Sequence, residues 1–469
     1  MESEAESRTA TAWATLREAV RGSKQDFTQG SIGRSIFLLA VPMVMEMFME
    51  SLFAVVDVFF VSKLGADAVA AVGITESMMA LLYALAIGLS MGAMAMIARR
   101  IGEKDPERAS ITAVQAISLA ILLSLPIGAA GTVLAPKLLG LMGASAQVIK
   151  TGSRFTALIL GANGIILLLF LINAIFRAAG DAAVAMRVLW VANGINITLN
   201  PCLIFGLGPF PRFGVTGSAV ATTIGRGIGV LLQLYLLATG KGRVSIRPGH
   251  LRLEPAVMYR LARLSATGIF QALVGTASWI GLVRILTLFG SAAVAGYTIG
   301  LRIVIFALLP SWGMSNAAAT MVGQSLGAGK PERGERAVWL ACFYNMIFLG
   351  TLGFFFVVFA GGLIRFFTND PAVIPYGVDC LRFVSYGFLF YACGMVVVQA
   401  FNGAGDTFTP TIINLFCFWL WEIPLAYVLA RVVGLGPRGV FASVTIAFST
   451  LAVVGALVFR RGRWKEKKV

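Results

Sequence analysis

The chain has 469 residues, 58% of them hydrophobic and 13% charged, with a mean hydropathy of +0.84 and a formal net charge of +16. A water-soluble globular protein carries about twice that charged fraction, so a soluble enzyme or a soluble nucleic-acid-binding domain is excluded. Apolar runs long enough to cross a bilayer recur from Ile36 to Val458, which makes this an all-α polytopic membrane protein.

Residues 1–30 are polar, and no cleavable signal is expected ahead of the first long, charge-bearing run. Within them, TAWATLREAVRGSK reads either as a short interfacial amphipathic helix or as a disordered tail. Twelve transmembrane helices follow. The first six fall at about 33–62, 67–98, 109–134, 147–177, 185–206 and 214–239. The second six fall at about 257–288, 292–325, 335–360, 374–401, 409–432 and 439–460. The polar, Pro- and Gly-bearing stretch between them is a natural connection. The expected domains are a cytoplasmic tail (1–30), a six-helix bundle (31–240), a cytoplasmic linker (241–256), a second bundle (257–460) and a basic tail (461–469).

The basic residues are distributed unevenly. With both termini on one side, the tails and even-numbered loops collect 26 of the 38 lysines and arginines. The positive-inside rule then places both termini in the cytoplasm of a multi-pass protein of the plasma (inner) membrane. It also accounts for the +16 without nucleic acid. Membrane lipids are the expected surroundings, and a monomer is the expected state.

The chain repeats itself. LGADAVAAVG at 64–73 matches FGSAAVAGYT at 289–298, and FRAAGD at 176–181 matches FNGAGD at 401–406. IGEKDPER and LGAGKPER, at 101 and 326, keep the same offset of 225 residues. Six spans per copy is an even number, so the copies enter the membrane the same way and form parallel repeats. Two such bundles flanking a V-shaped cleft is an architecture suited to alternating access. The glycine motifs sit at helix ends, where Gly stops one helix and Pro starts the next. They lack the GxxxxGK[ST] pattern of a phosphate loop.

Span one reads VPMVMEMFMESLFAVVDVFF and carries Glu46, Glu50 and Asp57. A carboxylate at the centre of a bilayer helix costs on the order of 2.5–3.5 kcal/mol. At 100° per residue all three lie on one narrow stripe, which must look at partners or at water rather than lipid. Span five carries Asn193, Asn196 and Asn200, and span six carries Ser218 and Thr222, all at the outer depth of Asp57. Asp57, Asn196, Asn200 and Thr222, with the Ile197 carbonyl freed by Pro201, make an oxygen-rich set for Na⁺ or a proton. Glu46 and Glu50 could bind a cationic compound, face the cleft, or be held neutral. The second repeat lacks the stripe, having Gln271, Gly275 and Leu282 in those places. Its one mid-span acid is Glu422, expected either to pair with an arginine or to serve as a second coupling or cargo carboxylate. Met47 and Tyr386 are candidates to line an apolar cavity with Glu46, Gln271 and Glu422. The single His250 lies in the linker and is expected to face solvent; it excludes histidine-clustered metal sites. The five cysteines lie in or beside apolar runs, in no disulfide or metal spacing.

The order and spacing of these pieces resemble the multidrug and toxic compound extrusion (MATE) family, in its DinF- and NorM-like branches. They include Pro42 and Asp57 ahead of LGADAVAAVG, RRIGEKDPERA, GINITLNPCLIFG with GVTGSAVAT, VGQSLGAGKPERGERA, and FNGAGDTFTP. The resemblance spans about residues 30–460. It implies two six-helix bundles, no ATP and no cofactor, and export of cationic or amphipathic organic compounds in exchange for H⁺ or Na⁺. It assigns ion coupling to Asp57, Asn196, position 200 and Thr222, and a bending hinge to Pro42. Where the DinF-type pattern has Asp-Pro, this chain has Asn200-Pro201. Either Asp57 works alone, or Glu50 substitutes for the missing carboxylate. The alternatives are a flippase for lipid-linked precursors, or a membrane-embedded transferase. The acidic first bundle argues against the flippase, and the absence of clustered His, Asp or Arg at a membrane face argues against the transferase.

Overall fold

The computed structural model describes residues 13–467. Among the described residues, twelve long helical segments follow the short helix at 13–21: α1 (Ile32–Ser62), α2 (Ala66–Gly102), α3 (Pro106–Leu141), α4 (Ala146–Gly161 with Asn163–Ala179), α5 (Ala182–Phe205) and α6 (Val215–Thr239) form the first bundle. The second comprises α7 (Pro255–Leu286), α8 (Ser291–Gly327), α9 (Pro331–Phe367), α10 (Ile374–Tyr386 with Phe388–Gly403), α11 (Phe408–Val432) and α12 (Pro437–Arg460). Ten are long and apolar enough to cross a membrane, and the bent pairs α4 and α10 bring the number to twelve.

Both bent helices break at repeat-equivalent places, α4 by 42° at Ala162 and α10 by 58° at Gly387. Their ends also agree. Gly180 and Gly405 both take positive φ, 90° and 84°, which a side chain would strain. Pro106 and Pro331 open α3 and α9, where a missing backbone N–H costs nothing. The α3 and α9 helices run about seven residues beyond the expected ends, to Leu141 and Phe367. At 1.5 Å per residue such helices reach roughly 55 Å. They therefore project well beyond a hydrocarbon core of about 30 Å.

The bundles meet through α2 against α7 and, in the symmetric place, α8 against α1. Near the end that carries the termini the contact is backbone to backbone. A Cβ on Gly102 would strike Gln324, and one on Gly327 would strike Arg99, the same contact in the two repeats. Gly88 on Ile269 and Gly313 on Met43 and Val44 form a second such pair. Towards the opposite end Gly73 of α2 meets nothing within 4 Å, and Glu76 of α2 and Arg302 of α8 are exposed. The cleft thus opens away from the termini. Gly102→Val and Gly327→Val should each cost about 1–3 kcal/mol through overpacking. The expected readout is a lower melting temperature in detergent, and an unchanged one would refute this account of the closed end.

The terminal segments brace that closed end. Residues 13–21 are helical, and the chain that follows is held from both bundles. Arg243, in the linker on the first bundle, donates to the carbonyls of Ser23 and Gln25 at 3.3 and 2.6 Å. Arg333 of the second bundle donates to those of Phe27, Gln29 and Gly30 at 3.0, 2.8 and 2.8 Å. Hydrogen bonds from a charged donor contribute about 1.5–3 kcal/mol. Arg333→Ala is therefore expected to speed amide exchange through residues 22–31 at least about tenfold. Exchange unchanged from the parent would show that Arg333 does not hold the segment.

His250 corrects an expectation. It is buried, with Nδ1 against the Ser245 carbonyl at 3.0 Å and Nε2 against Glu107 at 3.1 Å. The linker folds onto α3 rather than hanging in solvent. Gln115 fixes it further, donating to the Arg252 carbonyl and accepting from the Glu254 amide.

Candidate functional site

The α1 stripe turns inward, and its three acids meet different fates. Glu46 is 1% exposed and accepts from Arg177 of α4 at 2.5 Å. Glu50 accepts from Arg226 of α6 at 2.8 Å and from Asn193 at 3.2 Å. Arg226 is itself 2% exposed, lies over the Phe53 ring at 4.9 Å, and is within hydrogen-bonding reach of Tyr83. Asp57 has no arginine or lysine within ion-pair distance among the described residues and stays partly exposed. Its Oδ1 accepts from Asn200 Nδ2 and from Ser218 Oγ, both at 2.7 Å. Beside it Asn196 donates to Thr222 Oγ1 at 3.0 Å.

The geometry thus gathers Asp57, Asn196, Asn200 and Thr222 between α1, α5 and α6. The Oδ1 atoms of Asn196 and Asn200 are buried without a hydrogen-bond partner. Each amide turns its N–H group to a neighbour and leaves a buried acceptor unmatched, which is costly unless another group satisfies it. Pro42 lies inside an unbroken α1.

Sequence reasoning missed four of the participants. Arg226 stands alone in the apolar run TTIGRGIGV, and a charge inside a span is itself a signal. Arg177 stands next to a turn in the sequence, where a basic residue carries no signal of its own, but it lies buried inside α4. Ser218 was placed at the right depth without being counted in the site. Glu76 of α2, within electrostatic reach of both Asp57 and Arg302 across the cleft, was not singled out.

The second bundle holds a cavity of about 340 Å³ between α7, α8, α10, α11 and α12, closed on one side by Ile87 and Met91 of α2. Gln271 lines it. Glu46, Met47, Tyr386 and Glu422 do not. Glu46 is sealed on its arginine, and Met47 belongs to the first bundle. Tyr386 ends the first half of α10, where it is 58% exposed. Glu422 lies one turn past the wall residue Phe418, 1% exposed, with no ion pair among the described residues. The expected Arg–Glu pair there is absent because no arginine reaches it.

The MatE family model matches the chain twice, over residues 42–202 and 267–428, once in each repeat and again 225 residues apart at the start. The chain belongs to the MatE family. Among MatE relatives, the probable multidrug resistance protein YoeA of Bacillus subtilis (strain 168) is 26% identical over 95% of this chain and 97% of its own. A MOP superfamily transporter from Pyrococcus furiosus, described as having a binding pocket of reverse polarity, superposes with a TM-score of 0.89 at 26% identity. That match covers 95% of this chain and all of the other. The outward-facing conformation of a multidrug resistance MATE transporter gives 0.88 at 26% identity, with the same coverage.

Proposed function

We propose that this MatE protein is a secondary active exporter of cationic or amphipathic organic compounds, driven by inward movement of H⁺ or Na⁺ at Asp57. One observation carries the reading. Of the three acids on α1, two are neutralised by their own buried arginines, and only Asp57 is left without a fixed counter-charge. A partly exposed carboxylate among unsatisfied amide oxygens can take up a cation and give it back. Relatives named as multidrug resistance proteins support the export of varied compounds. The basic end, closed in this conformation, faces the cytoplasm by the positive-inside rule, so the cleft faces outward.

In this reading a cation arriving from outside neutralises Asp57 and weakens its hold on Asn200 and Ser218. The α1 helix then shifts against α5 and α6. Pro42 leaves the Leu38 carbonyl without its helical donor and gives α1 a place to bend. Because Glu50 already has Arg226, it does not take the role of the family's second carboxylate, and Asp57 acts alone. The test is reconstitution into vesicles, following dye efflux under an imposed pH gradient and then under a Na⁺ gradient. Efflux driven by one gradient is expected. Efflux driven by neither would refute the antiport reading.

A further inference from the structure

Cys342 and Cys393 are 51 residues apart in the chain, yet their Sγ atoms stand 3.5 Å from each other, a meeting their spacing does not announce. Cys342 lies on α9, and Cys393 on the inner half of α10, beyond the break at Gly387. Counted from Pro331 and from Gly403, both thiols lie about 15 Å in from the cytoplasmic ends of their helices. Asn345, one turn along α9, holds the two helices in this register. It donates to the Ala392 carbonyl at 3.0 Å and accepts from Ser311 of α8 at 2.9 Å. Cys342 Sγ is also 3.8 Å from the Cys393 carbonyl, so the backbones are close as well as the side chains.

The fold itself has no need of sulfur here. At the offset of 225 the first bundle has Ile117 and Leu168, which pack as partly buried aliphatic side chains. A thiol packs as a small apolar group too. What it adds is two-electron chemistry, since a sulfenic acid condenses with a neighbouring thiol to a disulfide. Access comes from the lipid side. Cys342 is buried, but Cys393 is partly exposed. Their neighbours Phe343 and Phe390 are exposed apolar side chains that do not line the second-bundle cavity, so this seam faces the bilayer. A reactant must then enter hydrocarbon, which disfavours ionic oxidants and admits a neutral hydroperoxide.

We propose that Cys342 and Cys393 are a redox pair, oxidised by a hydroperoxide to a disulfide that pins the inner half of α10 to α9 and slows export. The Cys393 sulfur attacks one peroxide oxygen. An S–O bond forms as the O–O bond breaks, and the departing oxygen takes the thiol proton to leave as water or an alcohol. The Cys342 sulfur then attacks the sulfenic sulfur. The S–S bond forms, the S–OH bond breaks, and the hydroxyl leaves as water with the Cys342 proton. The two thiols lose two electrons, the hydroperoxide gains them, and a dithiol reductant reverses the change. The slowing rests on the export reading; the pairing does not. A helix broken at Gly387 can swing its halves separately, and a covalent tie to the unbroken α9 removes that freedom. Tyr391 and Met395 of the same half-helix line the cavity, so the tie also fixes that wall.

The test treats the purified full chain in vesicles with hydrogen peroxide or, separately, with lipid-soluble cumene hydroperoxide. The protein is then unfolded and labelled with a maleimide polymer that adds one step in mass per free thiol. Five labels are expected before treatment, three after it, and five again after dithiothreitol. Mass spectrometry of the treated parent is expected to find the peptides of Cys342 and Cys393 joined. Pairing with either oxidant supports the proposal, and the one that acts at lower concentration identifies the source, aqueous or lipid. Dye efflux by the parent should fall at least fivefold on oxidation and recover with dithiothreitol. Efflux by Cys342→Ala and by Cys393→Ala should not respond; if one variant fails to fold the other serves, since either breaks the pair. Five labels after both treatments, or joined peptides from other cysteines, overturn the pair. A joined parent that exports at the untreated rate overturns the pinning. If neither gradient drives efflux but the labels fall to three, the pair stands and the export reading fails.

Discussion

Asp57→Asn is expected to abolish ion-driven efflux while leaving the protein folded. The substitution is isosteric and keeps an oxygen where Asn200 and Ser218 donate, so the local hydrogen bonds survive. What it removes is the only full negative charge in the set. A monovalent cation about 4 Å from a carboxylate gains on the order of 4 kcal/mol at an effective dielectric near 20. Losing that interaction lowers ion affinity by roughly three orders of magnitude. Efflux under the driving gradient should fall to the leak rate, with the melting temperature within a few degrees of the parent. If the variant exports as the parent does, Asp57 is a packing residue and the ion enters elsewhere. Asn200→Asp runs the other way: by adding a second carboxylate it is expected to tighten cation binding, measured as a lower Na⁺ concentration or proton activity for half-maximal efflux.

The second large effect is on stability. Arg226→Met leaves Glu50 without its counter-ion, and Glu50→Gln leaves a guanidinium that is 2% exposed facing a neutral amide. Breaking a buried ion pair from one side costs about 3–5 kcal/mol, whereas replacing both partners is often close to neutral. Each single variant should therefore express poorly or melt well below the parent, the Glu50 change less severely because that side chain is 18% exposed. The double variant Glu50→Gln with Arg226→Met should recover most of the loss. The second repeat already shows that the fold accepts an uncharged pair there, with Gly275 and Leu451 in the equivalent places. A double variant as unstable as the singles would mean that Arg226 also serves Tyr83, or Asp57 at longer range, in a way Glu50 does not share. Thermal melts of the four proteins, combined as a double-mutant cycle, give the coupling directly.

Helical spans are written in runs of neighbouring residues, so α1 and α5–α8 fall within two or three residues of their expected ends. The acid stripe on α1 follows from helical pitch alone. The depth match of Asp57 with Asn196, Asn200, Ser218 and Thr222 needs only span direction and a rise per residue, and the structure brings them together. The 225-residue repeat is likewise written in the chain, and it recurs in the bends of α4 and α10 and in the paired glycine contacts.

Choice of partner is not written locally. Arg177 finds Glu46 across 131 residues and Arg226 finds Glu50 across 176, and which helix face meets which depends on how the bundle closes. Hence the sequence by itself determined the spans, the repeat and the location of intramembrane charge. Only the tertiary structure decided which acid keeps a free charge, and which of two equivalent interiors is filled with ions and which stays open. The physical reason is range: backbone periodicity acts over a few residues, whereas pairing and cavities are set by side chains from distant helices competing for one buried volume.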